Sequence, residues 1–148
     1  MGNGEILSYR DLDAWKVAIS LTEHVYGAVK HLPATERFEL SSQMRRASVS
    51  VPSNIAEGQA SGSDGRYINH LRVACGSLGE LVTHVEIAPR RLRMLPELGV
   101  QALEEHLART GQVLHGLLRS RLRKRRVRVG STLLCCFGFW LSALAVLG

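Results

Sequence analysis

The sequence predicts an all-α protein, an antiparallel up-down four-helix bundle with a C-terminal basic and hydrophobic extension. Three observations lead there. Apolar residues recur at steps of three and four through four separate segments, the connections between them are short, and strict alternation of the kind a strand needs holds over only four residues. At 148 residues with 45% apolar content the chain has material for one core. Glycine and proline are not concentrated and no segment repeats, so residues 1–122 form one unit and 123–148 a compositionally distinct tail.

The first stripe starts after Asp11 and reads Leu12, Trp15, Ile19, Thr22, Tyr26 and Val29, with Ala18 and Val25 beside it. It stops before "HLPATE", where Pro33 disfavours helix at Leu32 and Thr35 is expected to cap the next helix. The second stripe, Leu40, Met44, Ala47, Val51 and Ile55, runs straight through Pro52. A proline there removes the bond to the Ser48 carbonyl at a cost of roughly 3 kcal/mol, so a kink or local opening is expected over 48–52, with Gly58 as the terminal cap. A strand at 48–51 is the competing reading. "QASGSDGR" is a loop in which Ser63 can cap a third helix through Tyr67, Leu71, Ala74, Leu78, Leu81 or Val82, and Val85. Gly76 and Gly79 inside it would either admit a close neighbour or kink it. Helix three ends near Ile87 or bends at Pro89 and continues to Leu92. Pro96 suits the first turn of a fourth helix, which reads Leu98, Ala102, Leu103, His106, Leu107, Thr110, Val113 or Leu114, and Leu117, with Leu122 at its limit.

Charge is unevenly placed. Residues 1–118 hold 12 Lys+Arg against 13 Asp+Glu, whereas "RSRLRKRRVR", residues 119–128, holds seven basic residues and no acid, so the net +6 resides in ten residues. Such a run binds phosphates by counterion release, and without aromatic residues it offers no platform for stacking bases. Arg45-Arg46 and Arg90-Arg91 with Arg93 are the dense basic sites elsewhere. The candidate nucleic-acid-binding residues are therefore Arg45, Arg46, Arg90, Arg91, Arg93, Arg119, Arg121, Arg123, Lys124, Arg125 and Arg126.

Arg46, Ser50, Asn54 and Glu57 share one helix face, and Ser77, Glu80 and His84 make a similar polar stripe on helix three. One reading is a solvated face. Another is a structural network in which Asn54 and Glu57 satisfy backbone groups freed by Pro52 and Glu80 meets Arg46 or Asn54. Glu57 and Glu80 lack an accompanying nucleophile or phosphate loop, so no enzymatic activity is expected. No Glu-x-x-His pair is present, and His24 and His31, seven residues apart on one helix face, have no carboxylate partner; neither metal nor cofactor is expected. Cys75 stands alone in residues 1–118 and Cys135-Cys136 are adjacent, giving no disulfide framework, and with no signal peptide a cytoplasmic location is expected.

"YRDLDAWKVAISLTEHVY", "LSSQMRRASVSVPSNIAEG" and "YINHLRVACGSLGELVTHVEIA" resemble, in order and spacing, the four-helix-bundle proteins encoded in intervening sequences of bacterial 23S ribosomal RNA genes, a family that includes the accessory variability determinant of diversity-generating retroelements. The resemblance covers about residues 8–122. It implies a bundle assembling as a homopentameric ring and, for the retroelement members, binding to a reverse transcriptase and to nucleic acid without catalysis. It leaves the tail unexplained. "VGSTLLCCFGFWLSALAVLG", residues 129–148, carries no charge and as a helix would span about 30 Å. Three readings of it stand: an anchor holding the bundle at the cytoplasmic face of a membrane, a non-native end, or a hydrophobic extension buried against the bundle or within a ring.

Overall fold

The computed structural model describes the backbone of residues 8–92 and 97–145, and the side chains of 8–36, 38–88 and 100–127. Among the described residues four α-helices form the fold, α1 (Asp13–Ala28), α2 (Leu40–Ala60), α3 (Asp64–Leu92) and α4 (Glu97–Ala145), with no strand. Helix α1 packs on α2 and α4, and α3 on α2 and α4, so the helices surround one core in chain order, each antiparallel to the next. Met44, Val51 and Ile55 of α2, Leu71 and Leu81 of α3, and Leu114 of α4 are fully buried there.

The α1 seam is rotated from the expected stripe. Ala14, Ala18, Leu21 and Val25 face the core, while Trp15, Ile19 and Thr22 are half-buried and Tyr26 is 44% exposed. The apolar band on α1 is wide enough for two adjoining lines, and the one carrying alanines lets the neighbouring helices come closest. Thr35 caps nothing: Ala34–Arg37 is a 3-10 turn, and α2 starts at Leu40, where the Glu39 carbonyl accepts from the Gln43 N–H.

Across Pro52, α2 is one uninterrupted helix, and the strand reading of 48–51 is excluded. The Ser48 carbonyl that Pro52 cannot serve is reached from another helix. Thr22 Oγ1 on α1 lies 3.0 Å from it and 2.9 Å from the Ala18 carbonyl, its single proton shared between the two. Asn54 and Glu57 do not do this; Asn54 donates instead to the Ser50 carbonyl at 2.9 Å. The proline's missing donor is thus replaced across the α1–α2 seam.

Gly58 is not the cap of α2. The helix continues to Ala60, Ser61 closes it by bonding the Gly58 carbonyl, and Gly62 turns the chain with φ of +65°. Gly58 is required for a different reason. A Cβ there would lie 2.6 Å from Tyr67 Cδ2 and 3.0 Å from His70 Cβ, so α2 and α3 cross at van der Waals contact where only a hydrogen fits. Gly76 and Gly79 face open space and admit no neighbour. Helix α3 starts at Asp64, as expected after Ser63, whose carbonyl accepts the Tyr67 N–H, and passes Pro89 to reach Leu92. Leu98 belongs to the α4 backbone with its side chain outside the described set, and Pro96 lies outside the described residues.

Thr22→Val keeps the shape and removes the proton, leaving the Ser48 carbonyl buried and unserved; it should lower unfolding stability by about 1–3 kcal/mol. In a Pro52→Ala background the helix supplies its own N–H, so the same substitution should cost about 1 kcal/mol less. Denaturant unfolding of the four proteins in a double-mutant cycle measures this coupling.

Candidate functional site

The predicted basic residues do not gather on one surface. Arg45 is half-buried with its guanidinium 5.8 Å from the centre of the Tyr26 ring on α1, and Arg46 is exposed on α2. Arg90 and Arg91 belong to the last turn of α3, their side chains outside those described, and Arg93 lies outside the described residues. Arg121 of α4 is half-buried over the Tyr67 ring at 4.5 Å, and Arg119, Arg123, Lys124, Arg125 and Arg126 are exposed. Tyr67 in turn meets Gly58, so Arg121, Tyr67 and Gly58 stand at one level. From there Arg45 is about 20 Å up α2 and Arg90 about 35 Å up α3, at the opposite end of the bundle.

The strongest cluster is therefore on α4. At 100° per residue the six cations from Arg119 to Arg126 point all round the helix. Arg121, Arg123 and Lys124 border a recess of about 450 Å³ that also includes Asp64, at the start of α3, and the exposed Val127. Arg121 is fixed by its aromatic seat, and burial pushes the Tyr67 phenol up while the Arg121 charge pulls it partly back. The tail reading as an anchor falls on residues whose side chains are outside those described. Among the described residues no helix is long and apolar enough to cross a membrane.

The polar faces of α2 and α3 do meet, though not through the expected pairs. Ser50 Oγ and Ser77 Oγ are 2.8 Å apart, Asn54 Nδ2 reaches Ser50 Oγ at 3.2 Å, and Asn54 Oδ1 lies 3.1 Å from His70 Nδ1. Glu57 Oε2 stands 3.5 Å from the same His70 nitrogen. Glu80 takes no part and pairs with His84 along α3 at 3.4 Å. His70 is the member the sequence reading missed. It lies seven residues before Ser77, one step further back on the stripe that Ser77 marks.

Two other close pairs arise only from tertiary structure. Cys75 Sγ of α3 is 3.9 Å from His115 Nδ1 of α4, and burial pushes the Cys75 thiol up, which leaves it protonated and a poor nucleophile at neutral pH. His24 of α1 and His106 of α4 stack with ring centroids 3.6 Å apart. Burial, and next the neighbouring His24 charge, pull the His106 pKa down, with Glu105 partly opposing. Among the described residues no group of three or more His, Cys, Asp or Glu is placed to hold a metal ion.

Fold and site together define an up-down four-helix-bundle protein whose last helix carries a basic sleeve. The chain belongs to the 23S rRNA-intervening sequence protein family, which matches residues 10–116. Its fold is similar to the crystal structure of a protein of unknown function from the S23 ribosomal protein family of Bacteroides thetaiotaomicron. The TM-score is 0.65 at 18% identity, over 72% of this chain and 95% of that one. No curated protein matches the chain.

Because the folded state holds a proton on His106 less readily than the unfolded chain, stability should fall as pH drops through about 6.5, the ordinary histidine value. Thermal unfolding of wild type and His106→Gln from pH 8 to 5 checks this: the variant should lose less of its midpoint on acidification.

Proposed function

We propose that this chain is a non-catalytic, ring-forming adaptor that binds structured RNA or an RNA-bound protein, a retroelement reverse transcriptase included. The observation that carries the reading is the sleeve of exposed cations, Arg119, Arg123, Lys124, Arg125 and Arg126, on α4 of a 23S rRNA-intervening sequence protein. A helix charged on all sides neutralises phosphates without reading bases, so affinity should depend on salt far more than on sequence. The absence of catalysis is part of the same proposal: the one Cys–His contact among the described side chains couples a protonated thiol to an imidazole at 3.9 Å.

Filter binding to a structured RNA tests it. Affinity should fall by orders of magnitude between 50 and 200 mM salt, and replacing Arg123, Lys124, Arg125 and Arg126 by alanine should flatten that dependence and weaken binding to all sequences alike. Alanine at Arg90 and Arg91 should weaken it less, because α3 carries those positions to the far end of the bundle. Retention no greater than that of an acidic control protein refutes RNA binding.

A second reading, a protein scaffold ring without nucleic-acid binding, is favoured by a different observation. Apolar recesses open on opposite sides of the bundle, one of about 270 Å³ between α1 and α2 at Trp15, Ile19, Val49 and Pro52, the other of about 450 Å³ between α3 and α4 at Leu78, Val82, Leu107 and Ala108. Two different faces on opposite sides are what a head-to-tail contact between copies needs, and such contacts close into rings such as the homopentamer. Light scattering at micromolar concentration should give a mass of about five chains, and a monomer mass rejects the ring. Deleting residues 119–148 separates the readings, since a scaffold keeps its partner and the RNA adaptor loses its RNA.

A further inference from the structure

We propose that the distal part of α4 is a bilayer anchor: residues 129–148 insert into an anionic lipid membrane as a continuation of the bundle's last helix, with the cations of 119–128 at the headgroups. The structural observation is where α4 goes once its packing partners have ended. It is one helix from Glu97 to Ala145. Thr110 meets the Val17 carbonyl on α1, so with the two helices antiparallel α1 begins beside about residue 114. Asp64, the first residue of α3, borders the same recess as Arg121, Arg123, Lys124 and Val127. Among the described residues the other three helices therefore end by the level of Val127, and α4 runs on to Ala145, about 27 Å beyond them.

That projecting stretch lacks what a helix needs in water. From Val129 to Gly148 the sequence has no Asp, Glu, Lys, Arg or His, no Asn or Gln and no Pro, so no polar face is written into it. Its twenty residues, at about 1.5 Å each, match the roughly 30 Å of hydrocarbon in a bilayer. An uninterrupted helix meets the further demand that backbone N–H and C=O groups be bonded within the segment. The side chains described on α4 stop at Val127 and hold no such span; the uncharged run begins just after them. A bilayer suits this helix better than a second copy does. Tails bundled at roughly 8–10 Å between axes would set their sleeves of seven cations side by side, within the Debye length of about 8 Å and so poorly screened. Anionic headgroups neutralise the same cations. The stretch does not fold back on the bundle while α4 remains one helix. Lys and Arg gathered on one flank of a span also fix its direction, holding the bundle on the cytoplasmic side. The inference is independent of RNA binding, although lipid and RNA would compete for the sleeve.

Density-gradient flotation of the full chain with lipid vesicles tests the anchor. Synthesised in the presence of phosphatidylcholine vesicles containing about 30% phosphatidylglycerol, the chain should rise with the lipid. It should stay there through washes in about 1 M salt and in alkaline carbonate, which strip proteins held by charge alone. Leu134→Lys/Phe139→Lys/Leu144→Lys keeps the sleeve and puts charge into the hydrocarbon, so at least about tenfold less of it should survive the washes. Its thermal unfolding in mild detergent should match wild type, because the substituted positions lie beyond the bundle. Wild type released by the washes overturns the proposal, since the sleeve alone then holds it, and so does equal retention of the lysine variant. A lowered unfolding midpoint in that variant also overturns it, because the tail then packs on the bundle. Recovery of wild type should be greater with anionic vesicles than with phosphatidylcholine alone; equal recovery overturns the placement of the sleeve at the headgroups.

Discussion

The hydroxyl of Thr22 meets the Ser48 carbonyl at the one place where α2 cannot complete its own hydrogen bonding. Pro52 is buried and has no N–H, so without an outside donor the carbonyl four residues earlier would be desolvated and unpaired in the core. A threonine on a helix ordinarily returns its proton to the carbonyl one turn back, and Thr22 shares that proton with the neighbouring helix. The consequence is positional. With α2 continuous from Leu40 to Ala60, the residues below the proline stay in helical register and carry Asn54, Glu57 and Gly58 onto the α3 side.

That register makes the next contact. Gly58 lets α3 come close enough for Tyr67 to lie against the α2 backbone, and Tyr67 presents its ring to Arg121. A chain of neighbours thus runs from Pro52 on α2 to the first cation held firmly on α4. The polar seam through Ser77, Ser50, Asn54 and His70 runs along the same α2–α3 interface. Hydrogen-bonded pairs there are direction-dependent, so they fix the rotation of α3 against α2 where apolar packing alone would tolerate a shift. Thr110, buried on α4, makes the analogous link to the Val17 carbonyl on α1 at 3.4 Å. Threonine hydroxyls thus reach backbone carbonyls of α1 and α2 from facing helices.

The bundle separates its chemistry by face and end. Cations collect where α4 passes the start of α3, imidazoles pair between α1 and α4, and apolar recesses open between α1 and α2 and between α3 and α4. The near-neutral bundle thus carries its excess positive charge on one helix and its apolar recesses elsewhere.

The sequence by itself determined the four helices, their order and most of their buried faces, because a 3.6-residue period written over four segments is a local property that needs no partner to be read. It also showed that the net charge resides in residues 119–128, since charge can be counted along a chain. Tertiary structure decided the rest. Which of two apolar lines on α1 faces inward depended on the neighbours that Ala14 and Ala18 admit. Which group serves the Ser48 carbonyl depended on a hydroxyl 26 residues away, and the need for glycine at 58 depended on a ring from another helix. The pairing of His24 with His106, and the wide separation of Arg45, Arg90 and Arg121, are likewise facts of helix juxtaposition. Side chains remote in sequence become neighbours only once the rods have chosen their rotation and level, and no period along one rod encodes that choice.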